Sequence, residues 1–151
     1  NINSIFKKYN VPYEFDLLSV DIDSFDYWVT KEILTQYSPR VVMVEVNVRF
    51  EPTESWRLKD DPNWDWNGTK WYGASPMAYK KMFNAAGYTP VYVHVDDMIA
   101  IRNDVLEESG FSEPDWDKVY PHSNVPLYNT HTMGGTQPLV TELNLDEWEE
   151  V

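Results

Sequence analysis

Apolar and polar residues recur with two different periods along this chain, and the changes of period mark out its elements. Residues 15–22, FDLLSVDI, are a short, nearly continuous apolar run bounded by turn formers, which predicts a buried strand. Phe25, Trp28, Val29, Ile33 and Tyr37 follow at helical spacing. Ser24 is placed to cap that segment, and Asp26 lies in its first turn, where the helix dipole favours an acid. SPR ends the helix, and VVMVEVNV, residues 41–48, predicts a second buried strand. Before all of these, Ile5, Phe6 and Tyr9 predict one face of a helix end that Asn10 and Pro12 stop.

Strand, helix, strand, with both strands apolar almost throughout, is the pattern of a parallel βαβ unit with a right-handed crossover. The polar and aromatic segment from Glu51 to Gly73 is too long for a plain connection, and such loops are usually functional. Ser75-Pro76 then opens a helix in cap-then-proline order, and Gly87 closes it. TPVYVHV (89–95) and MIAIRND (98–104) predict an antiparallel hairpin about Asp96 and Asp97. Beyond Val105 the pattern weakens: VLEESG predicts a short helical turn, and LNLDEWEEV either a last acidic helical turn or a frayed end. The expected organisation is an α/β domain over 1–105 with a mainly parallel sheet and a terminal hairpin. An irregular acidic extension, 106–151, packs on it.

Charge narrows the partners. Twenty-five acids against 12 Lys and Arg give a net charge of −13, a surface that repels phosphate backbones and anionic membranes. Nucleic acid and membrane are therefore not expected, and the expected compartment is the cytoplasm. With no cysteine there are no disulfides, thiolate zinc sites or cysteine nucleophiles. No stretch approaches the roughly 20 apolar residues that span a bilayer. The first residue is Asn rather than Met, and no signal-peptide core follows it, which suggests a processed chain or a fragment.

Candidate chemistry gathers where the predicted strands end, because parallel sheets bind ligands beyond their carboxyl ends. Asp21 and Asp23 end the first strand, Glu45 and Asn47 the second, and alternation places each pair on one face. Four oxygen ligands at one sheet edge suit Mg, Ca or Mn rather than zinc. A structural role stays open for each: Asp23 as the residue before a helix cap, Asp21 as an acceptor of backbone amides, Glu45 as a partner of Arg40, Arg49 or Arg102. His94 alternates with Tyr92 on the hairpin and is either a satisfied face histidine or a base. His122 and His131 have no recognised ligand spacing. Trp56, Trp64, Trp66, Trp71 and Tyr72 either clamp the long loop down or stack on a flat ligand such as a sugar, and packing is favoured. Asn67-Gly68-Thr69 is a formal glycosylation sequon.

LLSVDIDSFDYW, RVVMVEVN and NGTKWYGAS resemble segments of the FkbM-related group of class I S-adenosylmethionine-dependent methyltransferases. The order strand, helix, strand, helix, hairpin is similar to the second half of that Rossmann-like fold, over residues 1–105. The resemblance implies O-methyl transfer to a small-molecule or sugar hydroxyl. It makes Asp21 the fourth-strand metal ligand, Glu45 or Asn47 the fifth-strand ones, and Mg the candidate ion. Asp21, Asp23, Tyr72 and Ser75 take the acceptor-side catalytic positions. Metal-dependent relatives usually carry adjacent Asp and Asn where this chain has Glu-Val-Asn. The glycine-rich turn that holds S-adenosylmethionine is missing, since the six glycines are scattered and Gly134-Gly135 follows no strand. A half-sheet of this kind exposes an edge and an apolar face, so either a missing N-terminal half, a second copy or the C-terminal tail must cover it. The alternative reading is a non-enzymatic half-domain serving interaction or oligomerisation. A third, a carbohydrate-binding protein using the Trp loop, is less favoured.

Overall fold

Two parallel neighbours, β1 (Leu17–Val20) and β2 (Val41–Glu45), pair in register from Leu17 with Val41 to Val20 with Val44. The crossover between them is α2 (Asp26–Ile33). The computed structural model describes residues 1–61, 63, 64, 66, 71–121 and 143–151. After α3 (Pro76–Ala85) the chain enters a hairpin of β4 (Tyr88–His94) and β5 (Asp97–Arg102). The sheet order is β1-β2-β5-β4, so the second strand of the hairpin lies beside β2. Both β2–β5 and β5–β4 are antiparallel. The protein is therefore α/β with a mixed sheet, and the expectation of a mainly parallel sheet is corrected: one pair of the three is parallel. A two-residue connection forces antiparallel pairing, and the hairpin supplies half of the sheet.

The turn is Val95-Asp96, one residue earlier than predicted, which places Asp97 on β5. Val95 has φ 56°, a left-handed conformation that β-branched residues rarely adopt. The register of β4 slips between Pro90 and Tyr92. That bulge lets Tyr88 and Val93 both face the core although they are five positions apart, an odd spacing, and it turns Tyr92 and His94 to the other face.

One face of the sheet packs against α2 and α3. Leu18, Val20, Val42, Val44, Met98 and Ala100 join Tyr27, Ile33, Tyr79 and Phe83 in a single core cluster. The buried positions of α2 are Asp26, Tyr27, Thr30 and Ile33, a stripe rotated from the predicted Phe25, Trp28, Val29, Ile33, Tyr37. Trp28 instead lies at the rim, donating from Nε1 to the Leu58 carbonyl at 2.9 Å under the Arg57 guanidinium, which is 4.3 Å from its ring. In α1 (Ile2–Lys8), Ile2 and Phe6 meet the core, while Ile5 and Tyr9 are exposed, contrary to the predicted face. Asn3 is the buried residue of that helix, held by Nδ2 donation to the Glu32 carbonyl at 2.8 Å.

The long loop returns a strand, β3 (Trp56–Leu58), which pairs antiparallel with β6 (Trp148–Glu150). The tail is thus a strand where a helical turn or frayed end was expected. Trp148, Phe50 and Leu58 form a second small core, with Trp56, Trp64 and Trp71 packed around it. The described tryptophans of the loop accordingly pack on protein. The short helical turn expected at VLEESG is α4 (Asn103–Glu108), which begins two residues before Val105, and α5 (Trp116–Val119) is a helix the pattern did not predict, leading into Tyr120. Val119 and Tyr120 belong to the main core, and the Tyr120 hydroxyl lies 2.7 Å from the Val48 carbonyl and 2.8 Å from that of Phe50. Among the described residues, no helix is long and apolar enough to cross a membrane. The sequon at 67–69, His122, His131 and Gly134-Gly135 lie outside the described residues.

Candidate functional site

Beyond the carboxyl ends of β1 and β2 the chain leaves the sheet in two tight loops, and both carry acids. Asp21 and Asp23 follow β1, with Asp23 at φ 60°, a backbone state that Asp tolerates better than most residues. Glu45 closes β2. Each of Asp21, Asp23 and Glu45 brings a carboxylate oxygen within 4.8 Å of the others. Asp21 and Asp23 are exposed, and Glu45 is half-buried, with one oxygen, Oε2, sealed from solvent and lacking any hydrogen-bond partner.

That environment raises the Glu45 carboxyl to about 8, chiefly through burial, then through the charges of Asp26, Asp21, Asp23 and Asp96. A carboxyl raised to that value is protonated in most molecules at neutral pH and gives the proton up within about a unit above it. The arginines proposed as partners for Glu45 are partly committed elsewhere. Arg40 pairs with Asp16 at 3.5 Å, and Arg102 with Asp104 at 2.7 Å and Glu14 at 3.4 Å.

Asp26 lies in the first turn of α2 as expected, and it has a second task there. Ser24 does not cap α2: its Oγ donates to the Ile22 carbonyl at 3.3 Å, and the N-cap position, Phe25, makes no side-chain cap. Asp26 reaches back instead, accepting from the Ile22 amide at 2.8 Å and the Ser24 amide at 3.0 Å. It is fully buried, and burial raises its carboxyl more than the amides lower it. The same two hydrogen bonds fold the 21–25 loop so that Asp21 and Asp23 face Glu45. Its signal in the sequence is an acid four residues after Ile22 and two after Ser24, a spacing that a first-turn dipole role also explains.

The other predicted residues separate by burial. Asn47 lies beyond the end of β2, so strand alternation does not carry to it. It is fully buried, donating from Nδ2 to the Tyr72 carbonyl at 3.2 Å and accepting the Arg49 amide at 3.3 Å. Its amide fastens the loop. Tyr72 is half-buried beside the cluster, its phenol pushed above the ordinary range by burial and by the charges of Glu45 and Asp96. Trp66 meets its ring edge-on at 6.4 Å. Ser75 is fully buried and caps α3, its Oγ accepting from the Ala78 amide at 3.2 Å and the Trp56 amide at 2.9 Å.

Two further groups belong to the surroundings. Tyr79, fully buried on α3, has a hydroxyl with no hydrogen-bond partner, and burial with the charges of Asp26 and Glu45 holds its phenol protonated. Asp97, across the sheet, is raised by burial and by Asp96 and Asp21, with His94 acting in the opposite direction. The arrangement can exchange a proton near neutral pH at Glu45 and offers three carboxylates to a hard cation. Comparison with protein-family models, curated proteins and solved structures finds no match for this chain.

Proposed function

We propose that this chain carries the acceptor side of a methyltransferase-like α/β domain. A hydroxyl of a small molecule or sugar is received at Asp21, Asp23 and Glu45 and deprotonated there. The observation that carries the reading is the buried, unpartnered Oε2 of Glu45, on a carboxyl raised to about 8. A base near the working pH is what proton removal from a hydroxyl needs. Asp21 and Asp23 hold the negative field that keeps Glu45 basic, and Tyr72 forms the wall beside it. Ser75 and Asn47 position that wall through the backbone contacts described above.

A divalent cation fits the same donors: three carboxylates, one with an unused buried oxygen, suit magnesium, manganese or calcium. Bound there, the ion would lower the pKa of a coordinated hydroxyl. S-adenosylmethionine fits less well. Among the described glycines, Gly87 and Gly110 follow helix ends and Gly73 lies in the loop before Ser75, so none forms a glycine-rich turn directly after a strand. No step is assigned to the methyl donor, and its binding half belongs to whatever completes the sheet. Calorimetry tests this division. The isolated chain should bind magnesium or manganese through the acids and should not bind S-adenosylmethionine at micromolar strength. Tight binding of the donor would overturn the assignment of halves.

A second reading, a non-enzymatic half-domain for interaction or oligomerisation, is favoured by the outer edge of β1. Among the described residues that strand pairs with β2 alone, and free edges recruit further strands. Sedimentation of the chain over a concentration series tests it: a monomer at every concentration removes oligomerisation through this edge.

A further inference from the structure

We infer that the face of the four-stranded sheet left open among the described residues is a docking surface for an amphipathic, basic helix of another polypeptide. The inference rests on the second reading above and names the partner for it. Opposite the core, the register lines up two apolar rows, Leu17–Val41–Ile101 and Met43–Ile99–Tyr92. None of these six side chains belongs to the core cluster. Leu17 is 57% exposed and Tyr92 52%, while the others are half-buried by one another and their surroundings. The β4 bulge is what turns Tyr92 to this side, and the ring stacks on His94 at 6.0 Å with 8° between planes, extending the flat surface.

Sheets with a parallel βαβ unit normally bury both faces under helices, and here α2 and α3 both pack on the other one. A helix roughly 10 Å across covers about two strands. Charge selects its composition. The next row along the same face is Glu45–Asp97–His94, with Asp21 and Asp96 beside it. A second copy would bring the same acids and the same net charge of −13 to the interface. Lysine or arginine at the rim of an apolar helical stripe meets the acid row and lays the stripe over Met43 and Ile99.

The probe is a labelled peptide of leucine and lysine patterned as an amphipathic helix about four turns long. Its anisotropy is measured with the 151-residue chain. Saturable binding is expected, weakened at least tenfold by Tyr92→Lys and by Ile99→Lys, and at least tenfold weaker for a scrambled peptide of the same composition. Tyr92 is half exposed, so its variant carries the test if Ile99→Lys does not fold by circular dichroism. Equal binding by the variants or by the scrambled peptide means charge alone and overturns the inference, as does no binding. A chain that self-associates without binding the peptide also overturns it, yet leaves the oligomerisation reading standing.

Discussion

Asp97 on β5 stands directly opposite Glu45 on β2, as Cα partners in an antiparallel ladder. Like charges in that relation destabilise a sheet. The ladder holds them there because the Asp96 carbonyl accepts the Val46 amide at 2.6 Å, fixing the hairpin tip against the end of β2. Burial first, and the neighbouring acids after it, raise the Glu45 and Asp97 carboxyls.

Glu45 sets a pH dependence with a definite sign. Its folded value of about 8 lies above the unfolded carboxylate value, so the folded state binds the extra proton. Its contribution is fully favourable below the unfolded value and is lost as pH rises through about 8. Stability should therefore fall between about pH 4.5 and 8. Glu45→Gln should flatten that fall and stabilise the protein by about 1–2 kcal/mol above pH 8, after discounting for partial exposure. Urea denaturation at several pH values measures it; an unchanged profile in the variant overturns the assignment.

Asp26→Ala removes the acceptor for two backbone amides and should cost about 1–3 kcal/mol. It also removes the charge that acts most strongly on Glu45, so the Glu45 titration should move down toward the ordinary carboxylate range. Carboxyl-carbon NMR reads the second effect independently of the first. A Glu45 titration that stays in place would show that Asp26 is not coupled to it.

Cation binding should raise stability through mass action, by about 2.7 kcal/mol at a hundredfold excess over the dissociation constant. Magnesium, manganese and calcium are compared by thermal denaturation. Asp21→Asn should abolish most of the shift, and Glu45→Gln should do the same while leaving the fold intact. Equal shifts in wild type and both variants would place the cation elsewhere on this acidic chain.

Ser75→Ala should cost about 1–2 kcal/mol, the usual loss for an N-cap, because α3 and the Trp56 amide both lose an acceptor. Threonine at the same position should recover most of it. Cation affinity should change little in either variant, since Ser75 reaches the acids only through the chain. A large drop in cation affinity with stability unchanged would instead place its hydroxyl at the ligand.

Much of the sheet was legible because buried strands are apolar runs. β1, β2 and the hairpin all sit where those runs predict them, and the Ser75-Pro76 cap acts as its sequence implies. Periodicity failed where the buried side of an element includes polar groups. Asp26, Thr30 and Asn3 are inside, while Ile5 and Tyr9 are outside; Asp26 and Asn3 are held there by hydrogen bonds to backbone groups that a hydrophobic pattern does not encode. β3 and β6 were missed for a related reason. Three-residue strands carry too few positions to show a period, and their pairing joins residues more than 90 apart at Arg57 and Glu149.

The sequence by itself determined that acids end the first two strands, that the chain is strongly acidic, and that two buried strands flank a helix. Local composition and turn chemistry suffice for those. Tertiary structure decided which acids meet. It drew Asp21, Asp23 and Glu45 together, added Asp26 and the hairpin's Asp96 to their field, and buried Asn47 and Ser75. It also decided that β5 rather than β4 lies beside β2, and that a bulge turns Tyr92 outward. The physical reason is that burial and proximity raise a carboxyl, and both are properties of packing across the sheet rather than of residues along the chain.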